Sequence, residues 1–254
     1  MKTRIKTLLA CLVTLWPTLG LQQVEALTTA WWTVCTTRVQ KTHVAHITID
    51  NYFRLSHHRG ENNEILPITI GLSYGLFNWN NVKSEIGVSY VAPTRYPVSF
   101  DTKVGIEEEL LFPYSPGMSI GIFNVGTKTH GQYKTNQNIV DVCFSKSLPA
   151  AMLIGGTITV GGFGGNHAMG KNRLGAMVAY DREFCPAMDA SDTEYNKWKF
   201  IADYATGKNT QGGGGFGVYY YFTPKIGLST GPTWFNDQSI FGKWKWAIIL
   251  QVDL

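Results

Sequence analysis

WKWAIILQVDL, Trp244 to Leu254, closes the chain. Its even positions, Trp244, Trp246, Ile248, Leu250, Val252 and Leu254, are all large and apolar. The odd positions are Lys245, Ala247, Ile249, Gln251 and Asp253, with Lys243 just before. Alternation at period two marks a β-strand with one apolar and one polar face. In a soluble sheet the apolar face points into a core. In a membrane barrel it points at lipid, and the polar face lines the interior.

Outward from this stretch the pattern recurs along the chain. ITIGLSYGL (68–76) sets Ile68, Ile70, Leu72, Tyr74 and Leu76 against Thr69, Gly71, Ser73 and Gly75. Ala45, Ile47 and Ile49 alternate with His46, Thr48 and Asp50, and Ile86, Val88 and Tyr90 with Glu85, Gly87 and Ser89. In 98–107 the face opposite Val98, Phe100, Val104 and Ile106 carries Asp101, Lys103 and Glu107. Further segments at 119–125, 139–148, 153–163, 173–181, 198–205, 214–222 and 226–233 bring the expectation to twelve strands.

The start of the chain reads as an address. Lys2, Arg4 and Lys6 precede an apolar run from Leu8 to Trp16, and Val24-Glu25-Ala26 is a small-residue cleavage pattern. Residues 1–26 are therefore expected to be a secretory signal peptide, excluded from the fold. Leu8-Leu9-Ala10-Cys11 looks like a lipoprotein box, but the apolar run before Cys11 is too short, and Cys11 is read as part of the leader. The formal charge of the whole chain is +4, and the leader removes three bases and one acid, leaving too little to imply nucleic acid. No later apolar run is long enough for a spanning helix.

The connections fall into two sets. One comprises FNWNNVK, EELLFPYSPG, SLPAA, the 182–197 segment and TPK. The other, rich in Asn, Gly, Lys and His, comprises HHRGENNEIL, APTRYP, TKTHGQYKTNQN, GGNHAMGKN, TGKNTQGGG and FNDQSIFG. Short periplasmic turns and longer outer loops are a membrane-barrel trait, and an even strand count places both termini in the periplasm.

On the leader, the serial alternation and the final strand, the chain resembles Gram-negative outer-membrane β-barrels. It is similar to small, uncharacterised porin-like barrels of environmental bacteria. In that class the last strand alternates, is read by the barrel assembly machinery, and usually ends in Phe or Trp; here it ends in Leu254. The resemblance implies an all-β chain: one closed antiparallel transmembrane barrel over 43–254, preceded by a periplasmic segment, 27–42. A soluble sandwich or lipocalin-like barrel also alternates, but a polar face crowded with Gly and Ser favours the membrane form. Trp244, Trp246, Tyr74, Tyr90 and Trp198 are candidates for interfacial girdles.

With the faces so assigned, the lumen-lining set is Glu85, Asp101, Lys103, Glu107, Asp141, Arg173, Asp181, Lys199, Asp203, Lys243 and Lys245. Charges of both signs suit a hydrated pore that selects small solutes, and equally a salt-bridged barrel that conducts nothing. Barrels of about 8 strands are filled by side chains and those of roughly 16–18 leave a channel, so twelve lies between. Inner glycines at 71, 75, 87 and 105 favour space. Lys128, Lys134, Lys171 and Lys208 form a basic outer mouth that would steer anions or bind lipid phosphates. The expected function is passive passage of small hydrophilic solutes, with a non-conducting structural or surface-interaction barrel as alternative.

A lipid-acting enzyme is the remaining class. None of His43, His46, His57, His58, His130 and His167 falls in a recognisable Ser–His motif. His57-His58-Arg59 lacks a third metal ligand, and the runs GGFGG and QGGGGFG, read as strand ends and flexible loops, lack a nucleotide-site context. No cofactor or metal is expected. Three mature cysteines remain, and Cys35 and Cys185 are expected to form a disulfide across the lower opening, with Cys143 at mid-strand. Residues 27–42, with Trp31 and Trp32, would then partly occlude that opening, or trail as a tether.

Overall fold

The computed structural model describes residues 30–55, 68–92, 98–130, 134–149 and 155–254. The proposed leader, His57 and His58 lie outside them. The strands are β1 (Ala45–Phe53), β2 (Ile68–Trp79), β3 (Val82–Ala92), β4 (Val98–Ile106), β5 (Gly117–Gly126) and β6 (Asn136–Leu148). They continue with β7 (Gly156–Gly164), β8 (Leu174–Met188), β9 (Glu194–Ala205), β10 (Gly213–Thr223), β11 (Ile226–Phe235) and β12 (Trp244–Asp253). Each pairs antiparallel with its sequence neighbours, and β1 pairs with β12, which closes a twelve-stranded barrel.

The period-two pattern assigns the faces. In β12, Lys245, Ala247, Ile249, Gln251 and Asp253 are buried inside, while Trp244, Trp246, Ile248, Leu250 and Val252 turn outward. In β4, Ser99 and Lys103 are buried while Phe100 and Val104 stand exposed on the outer wall. Ile70, Leu72, Ile120, Val160 and Val178 share that wall. An apolar exterior belongs in hydrocarbon, and there only a closed sheet satisfies every backbone group. Girdle-type aromatics pack on the outside, Trp198 against Tyr220 at 4.7 Å and Tyr220 against Phe222 at 5.0 Å.

Several elements depart from the sequence reading. The connection expected at 182–197 is strand: β8 and β9 continue past the rest of the wall, pairing Pro186 with Asn196 and Met188 with Glu194. Only 189–193 turns, where the Asp189 carboxylate accepts from the amides of Ser191 and Thr193. Cys185 therefore lies in β8, in a positive-φ kink (62°), and not in a connection. Most of QGGGGFG and GGFGG is also strand, within β10 and β7.

The largest departure is the segment 30–44. It crosses the lumen as an extended strap instead of lying across one opening. Near the start of β1 the His43 amide bonds the Gly75 carbonyl, at the end holding Leu254 and the short turns. At the other extreme, the Trp32 indole donates to the Gln211 carbonyl at 3.1 Å and packs edge-on against Phe241 at 5.7 Å. Gln211 and Phe241 belong to the β9–β10 and β11–β12 connections, at the loop end. Trp31 and Trp32 thus sit near the opening opposite the one expected for them. The core follows from this: Trp31, Val34 and Cys35 of the strap pack against Phe123, Ile139, Cys143, Ile201 and Tyr219 of the inner wall.

Two of the four inner glycines, Gly75 and Gly105, face the strap. A Cβ on Gly75 would fall 2.0 Å from the Lys41 carbonyl oxygen, and one on Gly105 would lie 2.8 Å from the Val39 side chain. These glycines do leave room, and the protein's own strap fills it.

Candidate functional site: a strapped lumen

Eight of the eleven anticipated lumen residues face inward: Glu85, Asp101, Lys103, Asp141, Asp181, Lys199, Asp203 and Lys245. Of the other three, Glu107 lines the cavity at the turn end of the lumen, while Arg173 and Lys243 do not face inward because alternation stops where a strand stops. Glu107 lies just beyond β4 and pairs with Lys83 at the rim of that cavity. Arg173 and Lys243 precede β8 and β12 and are exposed.

The inward charges bind the strap. Asp203 on β9 is the strongest contact: its Oδ2 accepts the backbone amides of Trp31 (2.9 Å), Trp32 (2.7 Å) and Thr33 (2.6 Å). A carboxylate taking several backbone N–H groups is a strong, directional arrangement. The Trp31 indole donates to the Pro232 carbonyl at 3.1 Å and the Thr233 hydroxyl at 2.9 Å. Gly215 and Gly217 make space for its ring, since a Cβ at Gly217 would lie 2.2 Å from it.

Further along, the Lys103 ammonium and the Ser119 hydroxyl both donate to the Thr36 carbonyl, at 3.3 and 3.2 Å. Lys103 also lies 5.5 Å from the centroid of the Phe123 ring. Arg38 pairs with Asp181 at 2.6 Å, and Lys199, fully buried, reaches Asp181 and Glu183 at 3.6 and 3.5 Å. The Gln40 amide donates to Glu85 at 2.5 Å. Asp101 is used by the wall itself, accepting from the Asn124 amide at 2.9 Å and the Ser89 hydroxyl at 3.3 Å.

Open space remains at the turn end. A cavity of about 370 Å³ is lined by Arg38, Lys41, Lys83, Glu107, Glu108 and Asp181 among others, with the strap as part of its wall. At the loop end the described β7–β8 and β9–β10 connections pack against each other. The Met169 side chain, in the β7–β8 connection, is fully buried and its carbonyl accepts from the Thr210 amide at 2.8 Å. Lys128, Lys134, Lys171 and Lys208 all belong to loop-end connections. An acid from a fourth loop tempers that mouth: Asp237 is hydrogen-bonded by Ser239 and feels Lys171 and Lys208, which together hold its carboxyl below the usual range.

Two features escaped the sequence. His46 Nδ1 lies 2.8 Å from Asp253 Oδ1, a buried pair across the β1–β12 seam. Ser73 stands opposite His46 on β2, and its buried hydroxyl has no hydrogen-bond partner. The order Ser–His–Asp is that of an activated hydroxyl, but the cavity beside Ser73 is only about 40 Å³, room for water and not for a lipid ester. The pair's evident work is closure. His46→Ala, which leaves Asp253 buried and unpaired, is expected to cost about 3–5 kcal/mol, read as a lower unfolding temperature of the barrel in detergent.

The structure sets Cys35 beside Cys143 in the buried cluster, while Cys185 lies in β8 outside that cluster. The strap carries Cys35 to the inner wall at β6 and β7, where its thiol donates to the Thr159 carbonyl at 3.7 Å and the Cys143 thiol donates to the Val34 carbonyl at 3.9 Å. Among the described residues no group of three or more His, Cys, Asp or Glu could hold a metal.

A closed, even-numbered antiparallel barrel, apolar outside and charged inside, is the architecture of a membrane-spanning β-barrel. No family model matches the chain and no curated protein does. Among solved structures, a mutant of the Rhodobacter blastica porin matches with 8% identity, covering 83% of this chain and 98% of that one, at a TM-score of 0.29. The barrel assignment rests on the strand pairing of this chain, to which a score that low adds nothing.

Proposed function

We propose that the protein is a porin-like outer-membrane channel for small hydrophilic solutes, held closed by its own N-terminal strap. The observation that carries this reading is the nature of the strap's contacts. It is bound to a polar, charged wall largely through hydrogen bonds and ion pairs that water can replace, so its departure would leave a hydrated passage. Acyl chains would surround the outer wall, and the alternating final strand would serve assembly. The four loop-end lysines, with Asp237 subtracting, favour anions over cations at the mouth.

Planar-bilayer recording tests this. The full chain is expected to be silent for most of the record, and a variant lacking residues 27–41 to give unitary steps with a reversal potential displaced toward the anion value in a salt gradient. A folded strapless barrel that never conducts would support the sealed structural reading instead, for which the packed loop-end connections speak.

A further inference from the structure

The molecule holds two buried thiols that neither the wall's closure nor the passage of solutes uses. Cys35 belongs to the strap and Cys143 to the inner face of β6, and their exposures are 1% and 0%. Independent contacts fix them side by side. The Cys143 thiol lies 3.9 Å from the carbonyl of Val34, the residue just before Cys35. The Cys35 thiol lies 3.7 Å from the carbonyl of Thr159, on the strand next to β6. Both side chains belong to the same buried cluster. Gly161, which pairs with Cys143 across β6 and β7, leaves room there, since a Cβ on it would lie 2.8 Å from the Cys143 sulfur.

We propose that Cys35 and Cys143 form a disulfide in the mature protein, which ties the strap covalently to the barrel wall. A disulfide needs the two Cα atoms within about 7 Å, and the Val34 and Thr159 contacts make these residues packed neighbours. The chemistry is thiol–disulfide exchange with a protein disulfide of the oxidising compartment. One thiolate attacks the oxidant's disulfide and expels one of its thiols. The other thiolate then attacks the mixed disulfide and expels the second. The protein loses two protons and two electrons, and the oxidant becomes a dithiol. Because both sulfurs are buried in the finished barrel, exchange takes place before the lumen closes over the strap.

The bond does not depend on whether the lumen conducts, and its test is chemical. Protein exported to an oxidising compartment is purified, unfolded without reductant in excess alkylating agent, and mapped by peptide mass. The expected result is alkylation at Cys185 alone, a peptide pair joined through Cys35 and Cys143, and alkylation of all three after reduction. Cys143→Ser is expected to free Cys35 for alkylation, and Cys185→Ser to leave the joined pair intact. Full alkylation of Cys35 and Cys143 without reductant, or a bond from either to Cys185, overturns the proposal.

Discussion

Asp203→Ala is expected to release the loop-end half of the strap while the barrel stays closed. One carboxylate oxygen holds three consecutive backbone amides, so its removal orphans three donors together. Hydrogen bonds to a charged group contribute about 1.5–3 kcal/mol each, and they are not additive when one acceptor serves all three. A local loss of about 3–5 kcal/mol follows, enough to raise the fraction of released strap by about two to nearly four orders of magnitude. Limited proteolysis between residues 30 and 44 reads it, with reductant present so that no bond at Cys35 masks the release. Asp203→Asn keeps one acceptor and is expected to fall between. A strap as protected in Asp203→Ala as in the parent would mean that the indole contacts of Trp31 and Trp32 hold that end alone.

Gly217→Val is expected to expel the Trp31 ring. The position lies in β10, where a β-branched residue suits the backbone, so the effect isolates the collision. The new Cβ would lie within 2.2 to 2.6 Å of three ring carbons, and the ring is fixed by the Pro232 and Thr233 contacts and by Tyr219, edge-on at 6.3 Å. Losing a buried tryptophan costs about 3–5 kcal/mol, and the variant is expected to unfold at lower temperature and to open more often in bilayers. Gly162→Val is the control: on the outer wall a Cβ there meets nothing closer than the Gly175 carbonyl at 3.7 Å, and little change is expected. Equal behaviour of the two variants would remove Trp31 from any closing role.

The strand count and the facing of each strand were legible because they depend only on near neighbours. Alternation in 98–106 is enough to put Lys103 and Phe100 on opposite faces, whatever the rest of the chain does. Legibility fails at strand ends, where Arg173 and Lys243 were carried inward by a pattern that had already stopped. It fails also at 182–188, where Pro186 and a run of charges read as a connection although β8 continues with only β9 as its partner. The strap was half-visible. Two adjacent tryptophans ahead of the first strand and a glycine run near the loop end are complementary shapes, yet nothing local says that one receives the other.

By itself the sequence determined that this chain is a ribbon of alternating strands with an apolar side and a charged side, and that such a ribbon must close. Only the tertiary structure decided what the charges are for. Trp31 meets Asp203 across 172 residues of sequence, and His46 meets Asp253 across 207. Such pairs exist only once the sheet has closed with a definite register. Alternation sets which way a side chain points; register and closure set what it touches.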